Sequence, residues 1–138
     1  MNDLKIFFLV DDDVDDLEFF QEALSQVDPS LICITSSNGE KALEKLRGWV
    51  APFPDLIFLD LNLPRVDGKK CLVEIKKMET FINTPVIIYS TSSDQKIINE
   101  VLALGAAHFL VKPNKSGELH AAIKNILAIE KSREIAVS

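Results

Sequence analysis

The run Leu56-Ile57-Phe58-Leu59 is apolar at every position and ends on one aspartate, Asp60, before a proline loop closes the stretch at Pro64. A strand without polar alternation has both of its faces covered, which is the condition of a strand in the middle of a parallel sheet. The chain is thereby directed towards α/β architectures, with Asp60 at the carboxyl end of a central strand. In open α/β sheets, ligands bind in the crevice beyond those ends. A lone aspartate there is more simply a turn residue, so its chemistry depends on what else the chain brings to the same edge.

On either side of that run, short apolar segments alternate with segments of helical period, the signature of repeated βαβ units. Lys5 to Val10 predicts a buried first strand that breaks into Asp11-Asp12-Asp13, after which Leu17, Phe20, Ala23, Leu24 and Val27 recur at helical spacing. Asp13 is placed to cap that helix. Asp15 and Asp16 fall in its first turn, where carboxylates meet the positive end of the macrodipole. Leu31 to Thr35, shorter and more polar, predicts an edge strand. A second helix opens at Asn38-Gly39, carries Ala42, Leu43 and Leu46 on one face and stops at Gly48, and a third begins at Asp67-Gly68 with Leu72, Ile75 and Met78 inward.

Val86 to Tyr89 predicts a fourth strand, followed by the hydroxyl cluster Ser90-Thr91-Ser92-Ser93, in which Ser92 or Ser93 is expected to cap a helix from about Asp94 to Leu104. That helix is more apolar than one buried face requires, since Ile97, Ile98, Val101, Leu102 and Leu104 cover a wide arc. A docking surface and a deeply set helix explain the excess equally well. Ala107 to Val111 predicts a fifth strand ahead of Lys112-Pro113, and a last helix runs from about Ser116 to Ile129 with Leu119, Ala122, Ile123, Ile126 and Leu127 inward. Right-handed crossovers then put helices on both faces of a five-stranded parallel sheet.

A length of 138 residues suits one domain whose core needs neither metal nor disulfide. We expect a domain over residues 1–130 and a short tail over 131–138, too short for an output domain. No apolar run approaches a membrane span, and Met1-Asn2-Asp3-Leu4-Lys5 lacks the basic start of a signal peptide, so a soluble, cytoplasmic protein without membrane insertion is expected. Cys33 and Cys71 stand apart from each other and from His108 and His120, which leaves neither a zinc spacing nor a disulfide framework. The net charge of -6 argues against a sequence-independent grip on nucleic acid. The one basic concentration, Lys69, Lys70, Lys76 and Lys77, reads as a solvated helix face.

Four of the apolar runs end on charged or reactive residues: Asp11 and Asp12, then Asp60, then Ser90, then Lys112. A parallel sheet gathers those ends on one edge. Two carboxylates about 4 Å apart repel by roughly 4 kcal/mol at an effective dielectric near 20, and here three converge against one lysine. A hard divalent cation relieves such repulsion, and Mg²⁺ takes oxygen ligands while keeping waters and engaging phosphate. A carboxylate is also a competent nucleophile in phosphoryl transfer, forming an aspartyl-phosphate.

The segments Leu9-Val10-Asp11-Asp12-Asp13, Asp60-Leu61-Asn62-Leu63-Pro64 with Asp67-Gly68, Pro85-Val86-Ile87-Ile88-Tyr89-Ser90, Gly105-Ala106 and Lys112-Pro113 together resemble a response-regulator receiver domain of bacterial two-component signalling, of the stand-alone, chemotaxis type. The likeness covers essentially the whole chain, and the combination at these separations is highly specific. It implies a flavodoxin-like fold with strand order 2-1-3-4-5, an order the alternation alone does not choose. It also implies that Asp60 is the phosphoacceptor, that Asp12 binds Mg²⁺ (or Mn²⁺) directly while Asp11 holds a metal-bound water, and that the main-chain carbonyl of Asn62 is a further ligand. Lys112 corresponds to the lysine that pairs with the phosphoryl oxygens, its bond to Pro113 is expected to be cis, and Ser90 and Phe109 occupy the places of the switch hydroxyl and switch aromatic. Ser90 stands where threonine is usual, and Phe109 lacks a hydroxyl.

The implied partners are a sensor histidine kinase or phosphotransfer protein and a downstream protein target, with a homodimer through helix four, strand five and helix five as a further implied contact. The implied role is that of a phosphoacceptor in a phosphorelay with slow self-dephosphorylation, not of a turnover enzyme. Two other readings compete. A phosphorylation-independent interaction module has no physical need for the clustered acids, and an aspartate-dependent phosphohydrolase typically wants a second acid where Asn62 stands.

Overall fold

A computed structural model describes residues 4–137, with side chains as far as 133; the reading of Met1-Asn2-Asp3 lies outside that range. The chain alternates β1 (Ile6–Val10), α1 (Val14–Val27), β2 (Ile32–Ser36), α2 (Gly39–Arg47), β3 (Leu56–Leu59), α3 (Gly68–Lys77), β4 (Val86–Ser90), α4 (Gln95–Ala103), β5 (His108–Val111) and α5 (Ser116–Val137), with a short 3₁₀ turn at Glu79–Phe81 after α3. The strands form one parallel sheet in the order β2-β1-β3-β4-β5. The two strands read as edge-like or last in sequence, β2 and β5, are its edges. Among the described residues, no helix is long and apolar enough to cross a membrane.

Period-two alternation along the strands divides the core into two layers. Phe8 and Val10 of β1, Ile57 and Leu59 of β3 and Val86 and Ile88 of β4 pack under α2, α3 and α4 with Leu43, Leu46, Leu72, Ile75 and Val101. Phe7 and Leu9, Leu56 and Phe58, and Ile87 and Tyr89 face α1 and α5, against Phe20, Leu24, Leu119, Ile123 and Leu127. Both layers are apolar because β1, β3 and β4 carry apolar residues on either side as far as Ser90 at the tip of β4.

Local signals set the helix ends. Asp13, Asn38 and Asp67 cap α1, α2 and α3, each carboxylate or amide oxygen accepting main-chain N–H groups of the first turn. The cap of α4 is Asp94, which accepts from the Lys96 N–H, and neither Ser92 nor Ser93 takes that role. Ser92 instead stands two residues earlier, where its Oγ accepts the Asp94 N–H at 3.4 Å. A carboxylate outcompetes a hydroxyl at a helix start because it also answers the macrodipole.

Two further expectations change, and one open alternative narrows. The chain beyond Ile129 is not a separate tail, since α5 continues to Val137; Glu130 is held there by His108 of β5 at 2.8 Å and by Arg133 one turn later. Lys76 does not join Lys69, Lys70 and Lys77 on a solvated face: its ammonium donates to the carbonyls of Ile82 and Thr84 at 3.2 and 2.7 Å, clasping the loop before β4. And α4 is not deeply set, because only Val101 is fully buried while Leu102 and Leu104 remain about two-fifths exposed.

Candidate functional site

The side on which each functional residue lands follows from strand parity. Leu9, Phe58 and Leu110 point to the layer shared with α1 and α5, so Asp11, Asp60 and Lys112, each two residues further on, continue on that side. Main-chain bonds carry the sheet one step past its formal ends and hold these residues level. The Asp11 N–H donates to Ser36 O at 3.1 Å, the Asp60 N–H to Val10 O at 3.0 Å and the Lys112 N–H to Ser90 O at 2.7 Å. Ser90 and Phe109 have the opposite parity: Ile88 and Phe109 are register partners, and both pack in the layer under α2 to α4.

The result is one compact polar cluster beyond the strand tips. Asp11, Asp12 and Asp60 each bring a carboxylate oxygen within 4.8 Å of the others. Asp11 is fully buried, Asp60 is nearly so and Asp12 is open to solvent. Lys112 Nζ lies 2.8 Å from Asp11 Oδ2, 3.1 Å from Asp60 Oδ2 and 2.8 Å from Asp16 Oδ2, and over the Tyr89 ring. The Asp60 carboxylate is oriented from its other side as well, its Oδ1 accepting the Asn62 N–H at 3.1 Å. Gly68 allows that loop to close, for a Cβ there would stand 2.2 Å from Asp60 O and 2.4 Å from Leu61 Cα.

The charges do not balance. Burial pushes the Asp11 carboxyl up to about 6, and the nearby Lys112 ammonium and the Asp13 N–H offset only part of that. Burial alone would lower Lys112, but the negative charges of Asp11, Asp16 and Asp60 around it outweigh that and hold the ammonium above its usual value. Although Lys112 lies close to Asp11 Oδ2, the contact falls outside hydrogen-bonding alignment, so that buried oxygen has no donor. An unsatisfied buried carboxylate oxygen is costly. Together with two further acids it makes an all-oxygen donor set of the kind that hard divalent cations take.

Of the residues singled out in sequence, Asp11, Asp12, Asp60 and Lys112 are thus assembled. Asn62 enters through its N–H. Ser90, fully buried at the tip of β4, accepts the Ser92 N–H on its Oγ at 3.2 Å, and Phe109 sits half-buried on β5. The expected cis bond at Lys112-Pro113 is not present; the cis peptide among the described residues is Ala51-Pro52. The Lys112 ammonium reaches the acids across the ordinary trans linkage, which X–Pro bonds prefer in any case. Asp16 is the residue that sequence reasoning missed. It had a visible signal, since Asp16, Phe20, Ala23, Leu24 and Val27 share one helical stripe; a charge on an otherwise apolar stripe points inward.

Comparison with known proteins identifies the family. A sequence model of the response regulator receiver domain matches residues 7–124. The response regulator Rcp1 of Synechocystis sp. is 33% identical over 133 residues, covering 94% of this chain and 88% of its own. Among solved structures, the phosphorylated cyanobacterial phytochrome response regulator RcpA superposes with a TM-score of 0.80 at 35% identity, covering 88% of this chain and 90% of the other. The Mn²⁺-bound form of Rcp1 does so with a TM-score of 0.77 at 29% identity, covering 88% and 91%. Other curated relatives are longer: the chain spans 8% of a hybrid signal transduction histidine kinase of Dictyostelium discoideum and 49% of a probable C4-dicarboxylate response regulator of Bacillus subtilis. With its sheet order, its acid cluster and the family match over most of its length all in accord, the chain belongs to the response regulator receiver domain family.

Proposed function

We propose that this protein accepts a phosphoryl group on Asp60 from a phosphohistidine of a kinase or phosphotransfer protein, and signals through the change that follows. The observation that carries the reading is the shared site of Asp11, Asp12, Asp60 and Lys112, with its buried carboxylate oxygen lacking a donor. An Asp60 carboxylate oxygen attacks phosphorus, the P–N bond breaks, and the imidazole leaves with the bonding pair. Asn62 orients the nucleophile through its N–H, and Lys112 neutralises charge on the transferred group. Asp11, Asp12 and Asp60, with the Asn62 carbonyl, are the groups that would hold Mg²⁺, with Mn²⁺ as a substitute; when bound, the cation supplies countercharge to the phosphoryl oxygens. That the similar Rcp1 has a Mn²⁺-bound form supports a divalent ion as a ligand of this chain.

The phosphoryl group then attracts the Ser90 hydroxyl, which releases the Ser92 N–H and moves the loop ahead of α4, and Phe109 turns into the space vacated. The readout surface is α4, β5 and α5, where Leu102, Leu104 and Val111 are exposed, and a downstream protein or a second copy of the chain is the partner such a surface takes. Slow hydrolysis of the aspartyl-phosphate resets the protein. Incubation with a small acyl phosphate and Mg²⁺ is expected to label the wild type in an acid-stable, base-labile linkage, and Asp60→Asn to remove the label completely. Label that persists in Asp60→Asn would move the nucleophile elsewhere. Binding of partners that is the same for wild type and Asp60→Asn would favour the phosphorylation-independent interaction module instead.

A further inference from the structure

Lys112 carries a third acid that the transfer chemistry does not use. Asp16 Oδ2 accepts from Lys112 Nζ at 2.8 Å, closer than the 3.1 Å from Lys112 to Asp60. Its place is determined by the fold of α1. The Asp13 carboxylate accepts the N–H groups of both Asp15 and Asp16 at 2.9 and 3.2 Å, which fixes the first turn, and the inward stripe of Phe20, Ala23 and Leu24 aims Asp16 at the sheet edge. The Asp16 side chain is 35% exposed while that of Lys112 is 9% exposed, so Asp16 covers the ammonium on the solvent side. Asp15, one residue away, is exposed and supplies a carboxylate to the same helix terminus without touching Lys112.

The three acids around Lys112 differ in what happens to them during phosphoryl transfer. Asp60 would become the acyl phosphate and Asp11 is among the groups that would hold the cation, so both would change partners. Asp16 belongs to neither. We propose that Asp16 is a positioning residue for Lys112, holding one of its three N–H donors throughout while another passes from Asp60 to a phosphoryl oxygen. A lysine ammonium on a flexible four-carbon stem has much rotational freedom, and a partner that does not change during the reaction keeps it oriented for the incoming group. A carboxylate placed there only for the helix dipole would not be expected to differ from Asp15 in its effect on Lys112.

The kinetic part of this inference rests on Asp60 being the phosphoacceptor, whereas the structural part does not. The structural test is ¹⁵N NMR of the Lys112 ammonium in metal-free protein. A slowly exchanging signal is expected in wild type, Asp15→Ala and Asp16→Asn, whose amide oxygen still accepts, and its loss is expected in Asp16→Ala. The kinetic test is labelling by a small acyl phosphate with Mg²⁺. Asp16→Ala should lower the maximal rate about tenfold with the apparent KM for the phosphodonor unchanged, Asp16→Asn should recover most of it, and Asp15→Ala should match wild type. A Lys112 signal in Asp16→Ala as sharp as in wild type would overturn the proposal. So would labelling of Asp16→Ala at the wild-type rate, or an equal loss in Asp15→Ala. If wild type itself takes no label, the phosphoacceptor reading fails, and the NMR comparison still decides whether Asp16 orders Lys112.

Discussion

β3 carries an aspartate just outside each of its ends, and the two are put to opposite uses. Asp55 Oδ2 accepts the N–H groups of Lys5 and Ile6 at 2.8 and 2.9 Å, while its own N–H donates to Ile6 O at 2.8 Å. This carboxylate closes the start of β1 against β3, and neutral amide donors satisfy it. Asp60, five positions on, faces two other acids and shares one ammonium with Asp11 and Asp16. The residue type is the same and the strand is the same. What differs is the partner: amide dipoles complete an acid without demanding anything further, whereas an excess of carboxylates leaves charge for a cation and a phosphate to use.

That contrast can be attacked from both ends of the strand. The largest effect is expected at Asp11, where burial raises the carboxyl from 3.8 to about 6 in metal-free protein. A folded-state value above the unfolded one means that the native state holds the proton more tightly, so stability is greatest at low pH and falls as pH rises from about 4 through about 6. Two units correspond to about 3 kcal/mol. Subtracting the Asp11→Asn stability profile from that of wild type, both measured by urea unfolding in chelator, should show that fall; a flat difference would mean that Asp11 is no more strained than Asp55.

Gly68→Ala comes next, because its Cβ would meet the backbone of Asp60 and Leu61. Overpacking against main chain should cost about 2 to 3 kcal/mol, and labelling should fall in the fraction that remains folded. Unchanged labelling would show that the loop holds Asp60 less tightly than its geometry implies. The smallest effect is expected at Asp55. Asp55→Ala leaves two N–H groups without their acceptor and should cost about 1 to 2 kcal/mol in urea unfolding, yet the folded protein should still take the label at the wild-type rate. Lost labelling without lost stability would reverse the roles assigned to the two ends.

Much of this arrangement is legible in the chain itself. The apolar runs of β1, β3 and β4 and the helical stripes between them announce a parallel sheet with helices on both faces, and the abrupt polar residues at their ends mark the edge where chemistry gathers. Three of the differences share one cause. Lys76 looks like its solvated neighbours until the loop before β4 folds back within reach of its ammonium. The apolar arc of α4 fits a buried helix or an exposed one until packing leaves Leu102 and Leu104 in solvent. The helix α5 runs on past Ile129, where Glu130 meets His108 across the chain.

Local sequence therefore determined the elements, their caps and the residue types offered at the sheet edge, because periodicity and capping act within a few positions of the chain. The tertiary structure decided which acids meet Lys112 and which side of the sheet each tip residue faces. It also left one oxygen of Asp11 without a donor. Those outcomes depend on distances between segments far apart in sequence: Asp16 and Lys112 are 96 positions apart and 2.8 Å from contact atom to contact atom. No local pattern encodes that separation, and the crossovers that bring α1 and β5 to the same edge are what bring these two residues together.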